Sequence, residues 1–79
     1  MTKMFYKGYE IEAKPDRLVV SQRWKIRISI LRYKGNQVTE KPFEAGHTFG
    51  TEEEAKKYCL DFGMKIIDGQ INDCSVDDL

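Results

Sequence analysis

Residues 24–30 read Trp24-Lys25-Ile26-Arg27-Ile28-Ser29-Ile30, with apolar side chains at even positions and polar side chains at odd positions. Successive side chains of a strand point to opposite faces, so this alternation predicts a half-buried β-strand. Gly35-Asn36 follows as a two-residue hairpin turn, because glycine readily adopts the positive φ that a type II′ turn requires. The stretch therefore predicts an antiparallel hairpin with one buried face.

The predicted hairpin register brings side chains on the same face together. Four pairs follow from it: Tyr33 with Val38, Ile28 with Phe43, Ile26 with Ala45, and Trp24 with His47. Pro42 falls inside the second strand and has no N–H to donate to a neighbouring strand, which predicts an edge strand or a bulge. A bulge would shift the pairings on one side of it.

An earlier strand is predicted from about Phe5 to Ala13. The turn at residues 14–17, Lys-Pro-Asp-Arg, joins it to residues 18–20, with proline in the second position that type I and II turns favour. Pairing around this turn would place Ile11 near Val20.

The period changes after residue 50. Thr51-Glu52-Glu53-Glu54 is a capping box with Thr51 as N-cap, and its acids lie where the helix dipole favours them. A buried helical stripe follows at Ala55, Cys59, Phe62 and Ile66. Asp68-Gly69 is a plausible stop. Gly63 inside the helix predicts close contact with the sheet.

Together these elements predict an α+β fold, a three-stranded antiparallel sheet with one C-terminal helix packed on one face (βββα). Seventy-nine residues make a single domain, 1–79. We expect an ordered core at about residues 4–71 and an acidic, flexible tail at 72–79. One helix cannot cover both faces of a sheet, so the other face must meet solvent or a partner.

The charges are divided along the chain. Residues 1–41 hold ten Lys/Arg against four Asp/Glu, whereas residues 42–79 hold three against nine, and the total is zero. Such asymmetry indicates a nucleic-acid partner or another charged partner.

Five residues form the candidate binding surface on the uncovered sheet face: Tyr6, Arg23, Lys25, Arg27 and Tyr33. Bases mixed with aromatic rings suit phosphate contact and base stacking. The alternative interpretation is a solvated strand face, with Glu44 opposite Arg27 as a cross-strand ion pair. Glu10 and Glu12 on the same face would repel phosphate.

Two segments resemble the plant AP2 DNA-binding domain, namely Trp24-Lys25-Ile26-Arg27-Ile28, and Phe49-Gly50-Thr51-Glu52-Glu53-Glu54-Ala55 followed by Tyr58. The resemblance covers roughly residues 6–68 and implies a βββα fold that reads the DNA major groove with Arg and Trp residues of its sheet. Trp24, Lys25 and Arg27 would correspond to part of that contact set. The chain departs from the family in its first strand, where Glu10 and Glu12 replace arginines. The helix start is also similar to that of small HicB-type antitoxin domains.

The remaining sequence patterns exclude classes of site and function and assign none. The N-terminal residues hold no apolar segment typical of a signal peptide, and the chain has no apolar run long enough to span a membrane, so we expect a cytoplasmic protein without a membrane partner. Cys59 and Cys74 do not form a disulfide framework, and His47 is the only histidine. No catalytic, cofactor-binding or metal-binding set is recognisable, so we expect no cofactor and no enzyme.

Two functional hypotheses remain open. The first is a small non-enzymatic module that contacts DNA or RNA through the basic and aromatic sheet face. The alternative is a protein–protein interaction module, or a domain that associates with a second copy, through its bipolar charge or an edge strand.

Overall fold

A computed structural model describes residues 2–79 and shows an α+β fold in which one helix packs on an antiparallel sheet. The elements in chain order are β1 (Thr2–Tyr6), β2 (Tyr9–Ala13), β3 (Asp16–Arg17), β4 (Trp24–Lys34), β5 (Gln37–Phe49) and α1 (Glu52–Ile67). β2 and β3 pair with successive parts of one edge of β4, β5 pairs with its other edge, and β1 pairs with β2. β1, the short β3 and β5 each pair with one neighbour and are therefore edge strands.

The sheet has five strands, so the prediction of three was wrong. The predicted strand at residues 5–13 is a hairpin, β1–β2, whose two-residue loop is Lys7-Gly8 with φ of 50° and 86°. Positive φ at both positions suits a type I′ turn, in which Asn or Asp usually precedes Gly. The turn was not predicted from the sequence because lysine is unusual at the first of these two positions.

The predicted turn at residues 14–17 was also wrong. The Lys14 amide donates to the Arg27 carbonyl at 2.8 Å, which keeps the chain beside β4 so that β3 pairs with its first residues. The reversal comes later, where the Leu18 amide donates to the Arg23 carbonyl at 2.8 Å. Ile11 consequently pairs with Ile30, not Val20.

The β4–β5 hairpin confirms the predicted turn and three of its four predicted pairs, Tyr33–Val38, Ile28–Phe43 and Ile26–Ala45. The fourth pair was wrong because β5 carries two extra residues, 46 and 47, opposite the step from Lys25 to Ile26. Trp24 therefore pairs with Phe49. Pro42 lies opposite Ser29 in an edge strand, as its missing N–H predicts.

The helix begins and ends as the sequence predicts. The Thr51 hydroxyl accepts the Glu54 amide at 3.2 Å, and Gly69 follows the C-cap with φ of 75°. A Cβ at Gly63 would lie 2.6 Å from Cγ2 of Ile11, so glycine is what lets α1 approach the sheet this closely. No helix within residues 2–79 is long and apolar enough to cross a membrane.

The core lies between α1 and one face of the sheet. Its fully buried side chains come from two strands, β2 and β4, and the helix: Ile11, Ile26, Ile28, Ile30, Cys59 and Ile66. Residues 72–79 differ from the expected flexible tail, because Val76 and Leu79 are buried in this core and Lys41 donates to the Ser75 carbonyl at 3.0 Å. Helix and C-terminal segment thus cover the same face and leave the other one bare.

Candidate functional site

The face of the sheet opposite α1, here called the open face, carries the alternate residues of each strand. Ile28 and Ile30 belong to the core, so Arg27, Ser29 and Leu31 point the other way. Strand pairing sets their neighbours from β2 and β5 on the same face, such as Glu10 beside Leu31. We take this face as the candidate site because α1 and the C-terminal segment pack against the opposite one.

The charged side chains of the open face form three clusters of ion pairs, centred on Lys3, on Lys14, and on Lys25 with Arg27. They contain four bases and five acids: Lys3, Lys14, Lys25, Arg27, Glu10, Glu12, Asp16, Glu40 and Glu44. Glu44 lies 3.2 Å from the Lys25 ammonium and 3.6 Å from the Arg27 guanidinium, which also meets Asp16 at 3.5 Å. The face is therefore not a basic patch.

A shallow depression of about 230 Å³ lies over Ser29 and Pro42, between the ion-pair clusters of Lys14 and of Arg27. Lys14 stands at its rim, 3.4 Å from Glu40. A hydrogen bond from Ser29, together with Lys14, lowers the pKa of Glu40 below its ordinary value. The two bases that line the depression, Lys14 and Arg27, already contact acids of the same face.

Ion pairs within the fold largely neutralise the charge division of the sequence. Ion pairs join the basic first half to the acidic second half, as between Lys7 and Asp68 at 2.6 Å and between Lys41 and Asp78 at 3.0 Å. The contacts of Lys25 and Arg27 with Glu44 are of the same kind. Bipolarity along the chain therefore does not become two oppositely charged surfaces.

The structure divides the five predicted site residues between different surroundings. Lys25, Arg27 and Tyr33 lie on the open face. Arg23 precedes β4 and donates to the Thr48 hydroxyl at 2.8 Å and to its carbonyl at 3.0 Å. Tyr6 lies on the helix side, where its hydroxyl donates to Asp68 at 2.8 Å. It is not a stacking platform of the open face.

Sequence reasoning missed an apolar patch at the hairpin end of the open face. The open-face patch consists of Phe5, Leu31, Tyr33 and Val38, with Phe5 72%, Tyr33 52% and Val38 54% exposed. Phe5 and Leu31 both pair with Glu10, one on each side of it, and Tyr33 pairs with Val38. The Lys7-Gly8 turn was the missing signal, because only that turn places Phe5 on an outer strand beside Glu10.

Glu10 is buried although it lies on the open face. Its side chain is 6% exposed and lies between Phe5 and Leu31, its partners on the two neighbouring strands. The Tyr33 hydroxyl donates to its carboxylate at 3.3 Å, and the Lys3 ammonium lies 4.0 Å away. Burial and this negative charge raise the pKa of Tyr33. The patch thus has a carboxylate at its base.

Cys59 and His47 both contact neighbouring groups of the domain. The thiol of Cys59 is buried and donates to the Arg27 carbonyl at 3.5 Å, and burial raises its pKa, which disfavours the nucleophilic thiolate. His47 packs edge-on against Tyr58 with ring centroids 5.4 Å apart. Within the described part of the chain, no three His, Cys, Asp or Glu side chains are grouped as metal ligands.

Comparison with known proteins gives a family and no activity. No curated protein and no solved structure matches the chain. The resemblance to the AP2 domain is not tested by these comparisons and stays a prediction. A family model described as "Domain of unknown function (DUF6566)" matches residues 1–78, and the chain therefore belongs to that family.

Proposed function

We propose that this domain binds another protein through the open-face patch. The observation that carries the proposal is the exposure of Phe5, Tyr33 and Val38 together on the one sheet face that neither the helix nor the C-terminal segment covers. Exposed apolar patches rimmed by polar groups are typical of protein-binding surfaces. Aromatic residues are also enriched at the centres of such interfaces.

The charges around the patch support a protein partner over a nucleic acid. Binding to a polyanion draws its affinity from bases that release counterions from phosphates. On the open face Lys25 and Arg27 already contact Glu44, and acids outnumber bases. DNA or RNA would have to displace these acids from their bases. The nucleic-acid hypothesis therefore has weaker geometric support. Arg23 is an exception among the predicted bases, because the Thr48 hydroxyl that it contacts is neutral.

The size of the patch suits a modest, reversible interaction. Burying a fully exposed phenylalanine or valine side chain contributes roughly 1.5–3 kcal/mol before the cost of association, and the partly buried side chains of the patch contribute proportionately less. Three such side chains are enough for the apolar centre of an interface, and the ion pairs of the open face would form its polar rim. The free edge of β1, which carries Phe5, lies next to the patch and offers backbone groups for strand addition.

Affinity capture from a lysate of the source cells, with nuclease-treated and untreated samples, tests the proposal. The bait is the wild type, the double variant Phe5→Ser/Val38→Ser, or the control Val19→Ser/Val20→Ser. Val19 and Val20 are 88% and 100% exposed in the loop before β4, so the control removes exposed apolar area elsewhere. We expect a protein that the wild type and the loop control capture and the patch variant loses, with or without nuclease. Captured proteins that all three baits share, or binding that nuclease abolishes, would contradict the proposal.

A further inference from the structure

We propose that the open-face patch recognises a cationic side chain of its partner, a lysine or an arginine, which binds Glu10 between the rings of Phe5 and Tyr33. This inference rests on the proposed protein-binding function and specifies the chemistry of the partner. It follows from the partners of Glu10, the placement of the two rings and the charge of the patch.

The Glu10 carboxylate has few polar partners for a side chain that is 6% exposed. A buried charge is stable only when it is paired and hydrogen-bonded, and a carboxylate offers about four acceptor positions. Among residues 2–79, the polar side chains in contact with Glu10 are the Tyr33 hydroxyl at 3.3 Å and the Lys3 ammonium at 4.0 Å. Both separations are long for contacts with a charged acceptor. Glu10 therefore has unused capacity for a donor with positive charge.

Two aromatic rings stand beside this carboxylate. Phe5 is paired with Glu10 on β1, and Tyr33 reaches Glu10 from β4 with its hydroxyl. Ring faces attract ammonium and guanidinium groups within about 6 Å, more strongly where water is excluded. Apolar stems of lysine and arginine also pack on such rings. The rings would hold the stem of the incoming side chain while Glu10 holds its charge.

The charge at this end of the open face has the complementary sign. Glu10, Glu12 and Glu40 lie here, against the ammonium groups of Lys3 and Lys14. Lys3 is half-exposed and contacts Glu10 only loosely, so it fills the position that a partner's cation would occupy. A partner cation would displace Lys3 into water at little cost, because the Lys3 side chain is half-exposed and its 4.0 Å separation from Glu10 is long for an ion pair.

Titration of the isotope-labelled domain with small probes, followed by NMR, tests the inference. The probes are N-acetyl-arginine amide, N-acetyl-lysine amide and the neutral N-acetyl-norleucine amide. We expect saturable shifts at Phe5, Glu10 and Tyr33 with the cationic probes and much weaker binding of norleucine amide. Equal binding of the neutral probe, or no saturable shift at these residues with either cation, would overturn the inference.

Two variants with opposite expected effects on the affinity for the cationic probes make the test specific. Glu10→Gln should weaken the cationic probes roughly tenfold or more, since it removes a charged hydrogen-bond acceptor. Lys3→Met should tighten them about two- to fivefold, because it removes the competing ammonium. Lys57→Met, on an exposed position of α1, changes the net charge equally and should leave binding unchanged. An effect of Lys57→Met as large as that of Lys3→Met would show a general charge effect and overturn the inference.

The two proposals fail separately. If the domain captures a partner protein through the open-face patch but does not bind the cationic probes, the protein-binding function is supported and the recognition of a cationic side chain is refuted. Cationic probes that bind at Glu10, together with a patch variant that captures the same proteins as the wild type, would remove the protein-binding function.

Discussion

The Tyr33 hydroxyl donates to the Glu10 carboxylate across the open face at 3.3 Å. A tyrosine that is half-exposed on β4 thereby contacts an acid on β2 whose side chain is almost fully buried. This pair connects the structure of the open face with its proposed binding function, because the same acid that positions the ring also gives the patch its negative charge.

The Tyr33–Glu10 contact predicts a measurable pKa change. Burial first, and then the Glu10 charge, raises the pKa of Tyr33 above its ordinary value of 10.0. Glu10→Gln should bring this pKa down towards that value while the burial contribution remains. Titration of the Tyr33 ring signals by NMR measures the shift, and the Tyr9 ring, which contacts Arg32, serves as an internal control. An unchanged Tyr33 pKa in Glu10→Gln would mean that the two groups do not interact in solution.

The close contact of Gly63 with Ile11 predicts that Gly63→Ala destabilises the domain. Alanine gains about 1 kcal/mol of helix propensity, but its Cβ would lie 2.6 Å from a fully buried side chain. Overpacking of this kind costs typically 1–3 kcal/mol, so we expect a net loss. Urea denaturation measures the free energy of unfolding. In the Ile11→Ala background, where the clashing atoms are absent, Gly63→Ala should stabilise the domain, and an equal loss in both backgrounds would refute the steric explanation.

The C-terminal segment predicts a second stability effect. Val76 and Leu79 are buried, so a chain truncated after Ser75 exposes apolar core around Phe43. The loss should be on the order of 3 kcal/mol, which is a large part of the stability of a small domain. Thermal denaturation of full-length and truncated chains measures it. Identical melting temperatures would support the flexible tail that the sequence predicts.

The contact between Lys7 and Asp68 predicts a pH dependence. Hydrogen bonds from Lys7 and Tyr6 lower the pKa of Asp68 below its ordinary value of 3.8. Because the folded-state pKa lies below the unfolded one, this stabilisation is present above the ordinary value and is lost as the pH falls through the folded-state pKa. Asp68→Asn should therefore flatten the loss of stability below about pH 4. Denaturation of both proteins across the acidic range measures the difference, and parallel curves would exclude a contribution of this pair.

The sequence predicts the parts of the fold that depend on local periodicity and capping. The hairpin around Gly35, the N-cap at Thr51 and the stop at Gly69 are all confirmed, because each depends on residues close together in sequence. The β1–β2 hairpin was missed because Lys7 adopts a positive φ that its residue type does not indicate. The bulge at residues 46–47 depends on pairing across two strands, which no single segment specifies.

The candidate site was less predictable than the fold for the same reason. The sequence places Lys25 and Arg27 correctly on the open face and predicts the cross-strand pair of Arg27 with Glu44, which is confirmed. It does not predict the contacts of Lys25 with Glu44 and of Arg27 with Asp16, because these depend on the bulge and on β3. Phe5 joins the patch only through the unpredicted hairpin. From the sequence alone, Glu10 is an exposed charge that would repel phosphate. It becomes a buried acid beside Phe5 and in contact with Tyr33 only when β1, β2 and β4 are assembled.

Photo-cross-linking from position 5 tests the central claim most directly. A photoreactive phenylalanine analogue replaces Phe5 in one preparation and Lys57, on the exposed side of α1, in another, and both are irradiated in the source cells. We expect a discrete protein adduct from position 5 that position 57 does not give. Its cross-linked peptide should contain a lysine or an arginine close to the attachment point. Equal adducts from both positions, or adducts to nucleic acid alone from position 5, would contradict a protein-binding open face.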